Sequence, residues 1–419
     1  MKRSGSSLQD RIFTVCFVVL TFFPYVCLPA GGNTNIPVST IVALILALRF
    51  GFPQVPLSKI YFLLTAALII SLVTVLTIGL APNLRGLVSF SFSLAPIFGF
   101  YLAAKHEPAV TLFCIRAMIT LTCTFAILQK YLFFERGIIP FLDFYVAPGY
   151  ADVISNAKVI LLYMKRPFAQ FPEPSFLAGT LALATVAMLF LSARLFNFNW
   201  IDRIALVLSI MTLYLSQSGV VFVAVGVILV FWIFAEKNSS IKLFAKICTP
   251  IAVVFVASDL ANRRLIDSNW SWVDRLSAIT NGLEYTFSNP LSFISGVGIG
   301  NTPLLYSSNK VDVGSEAFNA APDIYSVFGR FLMSAGTIGL LLLILVLIVP
   351  TWQALNLEIS KNISFAILTT WVTVATVVIT YDSAAWVWGF GALFWGFADR
   401  RKSREVEAEL ENSSSSQLT

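Results

Sequence analysis

Apolar residues in this chain come in long, nearly uninterrupted runs separated by short polar breaks. The runs fall at about 12–29, 36–50, 60–80, 86–104, 109–134, 175–195, 204–217, 219–235, 243–258, 327–349, 362–381 and 384–398. A bilayer core about 30 Å thick needs roughly 20 apolar residues per helical span. The pattern therefore predicts an all-α polytopic membrane protein of about 12 transmembrane helices, with the second, seventh and twelfth runs short. The pair 204–217 and 219–235 meets at Ser216, Gln217, Ser218 and Gly219. That polar break predicts either a tight turn near the interface or one broken helix.

Two segments interrupt the succession of spans, the loops 135–174 and 259–326. Both mix aromatic, polar and charged residues at ordinary globular density and are read as ordered loops, since floppy linkers lack such composition. Spans and loops together make a single transmembrane domain, 1–404. The tail 405–419 carries Glu405, Glu407, Glu409, Glu411 and a serine run from Ser413, and is expected to be disordered. No internal period of 20 to 50 residues is visible.

Composition agrees with this reading, because only 12% of residues are charged and 57% are apolar, against about 25% charged in soluble domains. Charge placement sets the predicted orientation. One side collects Lys2, Arg3, Arg11, Arg49, Lys59, Lys105, Arg194, Arg203, Lys237, Lys242, Lys246, Lys361 and the run Arg400, Arg401, Lys402 and Arg404. The short loops of the other side hold Arg85 alone, and adding loop 135–174 with Lys130 leaves that side far poorer. Both termini are therefore expected in the cytoplasm and both large loops outside. The first run follows a basic start, as a signal peptide would, but it is long and no small-residue cleavage site follows Pro29, so it is read as a retained span. Cys16, Cys27, Cys114, Cys123 and Cys248 fall in or at the ends of predicted spans. They read as small packing residues, with neither a disulfide framework nor a metal cluster expected.

The stretch richest in candidate chemistry runs from Arg166 through Phe171, Pro172, Glu173 and Pro174 to Ser175, where the first loop re-enters the membrane. Pro174 holds Glu173 extended and suits the first position of a helix. The carboxylate is then either a favourable N-terminal charge or a fixed functional group. In Gly296, Val297, Gly298, Ile299, Gly300 and Asn301 the glycine spacing is not that of a dinucleotide fingerprint. It predicts a tight turn with close backbone approach, to a ligand or simply within the loop. At the end of the second loop Pro322 is expected to open a helix, which would set Asp323 and Arg330 on one face about 10 Å apart along the axis. Arg116 lies within a span and calls for a partner, a cavity or snorkelling. The one histidine, His106, reads as an ordinary loop residue.

Three stretches carry a resemblance. Arg166 to Gly179 resembles the Arg then Glu-Pro-Ser signature of O-antigen and exopolysaccharide polymerases, the Wzy-type members of the O-antigen polymerase and ligase superfamily. Leu215 to Gly219 resembles that family's Ser-rich helix break. Arg275 followed by Gly296 to Asn301 resembles its second outer-loop signature. Their order covers nearly the whole chain.

What the resemblance implies is a GT-C-like glycosyltransferase architecture in a bacterial inner membrane, with a periplasmic active site. Donor and acceptor would both be polyprenyl-diphosphate-linked oligosaccharides, and a chain-length-regulating co-polymerase would be a partner. Membrane lipids surround the protein, and no nucleic acid is expected. Arg166, Arg275, Arg330 and Arg85, with Ser175 and Tyr325, are the expected diphosphate and substrate contacts, since a guanidinium matches phosphate oxygens and stays charged. Asp323 is the expected base for the acceptor hydroxyl and Glu173 the second catalytic carboxylate, positioning Arg166 or a sugar. Without an Asp-x-Asp pair or a histidine cluster in the outer loops, neither a metal nor another cofactor is expected. An O-antigen ligase and a lipid-linked oligosaccharide flippase are the alternatives; the ligase would lack its outer histidine, and the flippase would be expected to show internal symmetry.

Overall fold

Helix boundaries along the chain follow from caps and prolines. The computed structural model describes residues 7–24, 26–29, 35–52, 62, 63, 65, 66, 69, 70, 76, 84–139, 165–171, 174–195, 198–217, 280–298, 301, 305, 326–377 and 385–416. Helix α1 (Leu8–Thr21) starts behind Ser7, which exchanges hydrogen bonds with Asp10 in a capping box. It stops before Pro24, although the apolar run continues to 29. Proline has no N–H to donate and disfavours helix in the residue before it. The chain turns instead into a short antiparallel ribbon, β1 (Cys27–Pro29) with β2 (Asn35–Pro37), Cys27 opposite Pro37. Helix α2 (Val38–Phe50) follows. The run 86–104, expected as one span, is divided at Pro96, which has no N–H to donate, into α3 (Leu84–Ser93) and α4 (Pro96–His106).

Helix α5 (Pro108–Leu128) continues through a π-helical turn, Gln129–Phe133, and a 3-10 turn, Phe134–Arg136. Helix α6 (Pro174–Leu195) opens at Pro174, where the fixed proline φ places its start. Helix α7 (Trp200–Ser216) begins behind an Asn199 and Asp202 capping box. A helix at 280–288, α8, and α9 (Pro290–Ser295) lie within the second large loop. Then come α10 (Val327–Leu343), a π turn at Ile344–Ile348, α11 (Val349–Glu358), α12 (Lys361–Val377) and α13 (Ala385–Ser416). Among the described residues three helical stretches are long and apolar enough to cross a membrane, Pro108–Arg136, Pro174–Leu195 and Val327–Glu358. The predicted spans 219–235 and 243–258, and most of 60–80, lie outside the described residues.

Helix α6 is the centre of the assembly. Its apolar residues surround the whole helix, and 94% of its most apolar stretch is buried inside the protein, as expected of a helix without a polar face. It packs against α5, α7, α12 and α13. Phe190 meets Phe394 and Phe397 of α13 edge-on, with ring centroids 4.7 and 5.5 Å away. The most extensive pairing is between α4 and α13. A Cβ on Gly396 would lie 2.1 Å from the Tyr101 carbonyl oxygen, so this contact needs glycine, the small-residue packing typical of helices in lipid.

Charged side chains gather where several helices end together. Arg49, at the end of α2, pairs with Asp10 and donates to Ser7 Oγ at 2.8 Å. Lys105 and the Tyr101 hydroxyl both reach Asp399, and Arg400 donates to the His106 carbonyl at 3.2 Å. The His106 ring stacks on Phe50 at 4.3 Å. Arg401 pairs with Glu358 and Glu405, each at 3.0 Å. Donating to the carboxylates of Glu405 and Glu358 holds its guanidinium above its ordinary pKa. Exposed pairs like the last contribute little singly, but together they mark one charged region where α1, α2, α4 and α11 end beside the middle of α13. The tail after Arg404, expected to be disordered, continues α13 as helix to Ser416. Its Glu, Arg and Ala residues are good helix formers, and the Arg401 to Glu405 pair has helical spacing.

Near this end Arg116 finds its partner. Its guanidinium grips Asp202 with two bonds, Nε to Oδ1 at 2.6 Å and Nη2 to Oδ2 at 2.8 Å, and Nη2 also donates to Ser192 Oγ at 3.1 Å. Asp202 further accepts from the Ser192 hydroxyl and the Asn199 N–H. Its side chain is fully buried, and that of Arg116 is 15% exposed. The arrangement joins α5, α6 and α7 through one carboxylate, so Arg116 is paired and does not snorkel. Removing one partner leaves a buried charge uncompensated, which costs about 3–5 kcal/mol, whereas replacing both with apolar residues is often close to neutral. Asp202→Leu is accordingly expected to lower the unfolding midpoint of the detergent-purified protein sharply. Arg116→Met/Asp202→Leu is expected to recover most of that loss, and a double variant no more stable than the single would contradict this account.

Candidate functional site

The segment 165–171 re-enters the bundle in an irregular conformation that the neighbouring helices impose on it. Lys165 and Ala169 both have positive φ, 44° and 49°, which costs a non-glycine residue about 1–2 kcal/mol. Buried Gln129, first residue of the π turn, meets two N–H groups that such a backbone exposes. Its Oε1 accepts from Phe168 at 2.8 Å and from Ala169 at 2.7 Å. Lys130 Nζ donates to the Lys165 carbonyl at 3.2 Å. Gln170, itself buried, donates to Thr122 Oγ1 at 2.7 Å and to the Phe22 carbonyl at 3.3 Å. Phe168 and Phe171 are almost fully buried.

Held on this segment, Arg166 points its Nε at Gln217, donating to Oε1 at 3.2 Å. Gln217 ends α7 in the left-handed conformation, φ 50° and ψ 30°. The predicted polar break at 216–219 therefore does terminate a helix at Gln217, and the residues after it lie outside the described ones. Among the described residues, the non-glycine positions with positive φ are Lys165, Ala169 and Gln217. All three belong to this one place. Ser175, in the first turn of α6, is largely buried.

The glycine-rich stretch makes the close backbone approach that its sequence predicts, and its partner is a helix of the same chain. Helix α10 is broken at Gly336, which has φ 67° and ψ −170°. At the break, the carbonyls of Met333 and Ser334 accept from the N–H groups of Val297 at 2.8 Å and Gly298 at 3.0 Å. A Cβ on Gly296 would stand 2.3 Å from the Ser334 carbonyl carbon, and one on Gly336 2.3 Å from the Ile294 carbonyl oxygen. Thr337 Oγ1 closes the joint on the Phe293 carbonyl at 3.0 Å. Asn301, fully buried, donates from Nδ2 to the Val297 carbonyl at 3.1 Å.

The expected start of α10 needs correction. Pro322 does not open it: the helix begins at Val327, behind Ser326, whose extended backbone and Oγ cap the Gly329 N–H at 3.1 Å. The extended Ser326 starts α10 four residues before Arg330, and Asp323, expected to share a helical face with Arg330, lies outside the described residues. Arg330 stands in the first turn, half-buried. Arg85 lies in the first turn of α3, where an interhelical turn was expected. Glu173, Arg275, Asp323 and Tyr325 lie outside the described residues. No cluster of three or more His, Cys, Asp or Glu side chains suited to a metal is present among the described residues.

The structure thus joins two of the three stretches singled out in the sequence, through Arg166 and Gln217. It adds Gln129 and Gly336, which sequence reasoning passed over. A polar glutamine at the end of an apolar run and a Ser-Ala-Gly-Thr interruption within one were the available signals. No protein-family model matches this chain, and a search of curated proteins finds no match.

The interlock at Gly296 and Gly336 has a steric consequence. Alanine at either position combines a strained φ with a clash against backbone, and each is expected to destabilise the protein by more than about 2 kcal/mol. Gly137, also at positive φ but with nothing within 4 Å of a built Cβ, provides the comparison. Gly137→Ala carries only the conformational cost, so thermal unfolding of the three variants should rank it well above the other two.

Proposed function

We propose that this chain is a metal-independent polysaccharide polymerase of the bacterial inner membrane. It would transfer a growing glycan from its polyprenyl diphosphate onto a repeat unit carried by a second such lipid. The observation that carries this reading is the hydrogen bond from Arg166 to Gln217, which unites two stretches resembling different signatures of the Wzy-type polymerases. The grouping of basic residues where α1, α2 and α4 end beside α13 supports a cytoplasmic placement for that end. On that reading Arg166 and Gln217, at the opposite ends of the helices, face the periplasm, within a GT-C-like bundle of about twelve spans.

In the proposed reaction the bond from the donor's anomeric carbon to the diphosphate oxygen breaks, and its electron pair leaves with the diphosphate. The acceptor hydroxyl oxygen forms the new bond to that carbon and gives its proton to a carboxylate. A diphosphate leaving group needs charge stabilisation more than a proton, and arginines supply it at fixed geometry. Arg166 comes first in this role, with Arg275 and Arg330 beside it in the proposal. Asp323 takes the proton, and Glu173 orients Arg166 or a sugar.

Losing one preorganised donor of this kind typically costs about 10²–10³ in rate. In cells carrying Arg166→Ala, with membrane levels of the protein unchanged, the glycan ladder should lose its long chains while one-repeat products persist. An unchanged ladder would remove the central residue of this reading. Loss of single-repeat products as well would indicate a flippase.

A further inference from the structure

Gln217 is an unusual choice for the place it occupies. A helix that needs only to stop through a left-handed residue is best ended by glycine, which adopts that conformation without strain, or by asparagine. Gln217 adopts it at φ 50°, so a longer side chain is kept where the backbone disfavours it. Strain of this sort persists only when its surroundings over-determine it, and it collects at functional sites. The segment presenting Arg166 is strained in the same way, with Lys165 immediately before it and Ala169 three residues after. Gln129 holds that segment, and the segment's own Gln170 ties it to Thr122.

We propose that Gln217 is a positioning residue for Arg166: the left-handed turn at the end of α7 carries a side-chain carbonyl to the guanidinium Nε and fixes the plane of the fork for a lipid-linked diphosphate. This rests on the polymerase reading of Arg166. A guanidinium recognises phosphate oxygens through a planar array of N–H groups, so rotation about its own stem spoils recognition even when the charge stays in place. Contact at Nε, the atom that joins fork to stem, restrains that rotation. The helix break in the second stretch then has a task beyond ending a helix, because the same residue that breaks α7 orients the arginine of the first.

Glycine at this position separates the two roles. Gln217→Gly relieves the backbone and removes the carbonyl. Its unfolding midpoint in the full-length purified protein should match or exceed that of the parent, while long-chain product in cells falls by roughly tenfold to a hundredfold, the worth of a hydrogen bond to a charged group. Gln217→Glu keeps an acceptor at the same reach and should retain most of the activity. In the Arg166→Ala background, Gln217→Gly should cost nothing further, since residues acting through one interaction are not additive. If Gln217→Gly leaves the ladder intact while Arg166→Ala removes long chains, positioning by Gln217 is wrong and the polymerase reading stands. A lowered midpoint together with a loss that glutamate does not rescue would assign Gln217 to folding instead. Should Arg166→Ala itself keep the full ladder, the polymerase reading fails before Gln217 is at issue.

Discussion

A carboxylate sealed from water has to be satisfied where it stands, and Asp202 is satisfied from three directions. Arg116 of α5, Ser192 of α6 and the N–H of Asn199 at the start of α7 all meet it. Sliding any of these helices by one residue, about 1.5 Å, would break several bonds to a buried charge. The register of the three is therefore fixed at one end. What they carry at the other end is the candidate site. Gln129 lies thirteen residues beyond Arg116, Ser175 seventeen before Ser192 and Gln217 fifteen after Asp202, or roughly 20 to 26 Å along each axis at helical rise. Midway between, Thr185 of α6 donates to Ser209 of α7 at 3.0 Å. An ion pair at the base thus sets where the glutamines and the start of α6 stand, although it touches none of them.

The same rule governs the irregular backbone. Away from bulk water, peptide groups outside regular helix need protein partners. In the 165–171 segment those partners are chiefly side chains, Gln129 and the Lys130 ammonium, with one main-chain bond from Phe171 to Phe168. Gln129 takes two N–H groups with one oxygen, and Gln170 reaches back to Thr122 and the Phe22 carbonyl. In the 296–298 turn the partners are the main-chain carbonyls at the break in α10. The first solution depends on side-chain identity and the second on the absence of a side chain. Substitution at Gln129 therefore removes a bond, while substitution at Gly296 or Gly336 inserts an obstacle.

Much of this architecture was legible in the sequence because hydrophobic run length and proline are strong local signals. The start of α6 at Pro174 follows from them directly, and the polar break at 216–219 marks where α7 ends. The same signals were underweighted at Pro24 and Pro96, where apolar content alone was read as continuous helix. Arg116 announced that it needed a partner, but nothing local names Asp202, which is 86 positions away in sequence. The broken α10 was missed because Gly336 sits among residues that otherwise read as helix, and its cause is a tertiary contact with Ile294. Ser326 starts α10 by supplying a capping oxygen, a signal that spacing arguments about Asp323 and Arg330 did not weigh.

The arrangement of strain also bears on how the site would work. A mobile arginine would have to be ordered when an anionic ligand arrives, and that entropy would be subtracted from binding. Here the conformational cost is met in folding, through left-handed residues held by Gln129 and by the end of α7. On the proposed reading this is useful for a polymerase, whose donor presents the same diphosphate at every round while the attached glycan lengthens. A rigid anion site recognises the constant part of such a substrate, and the sugar beyond it can vary in length without disturbing the geometry of bond cleavage.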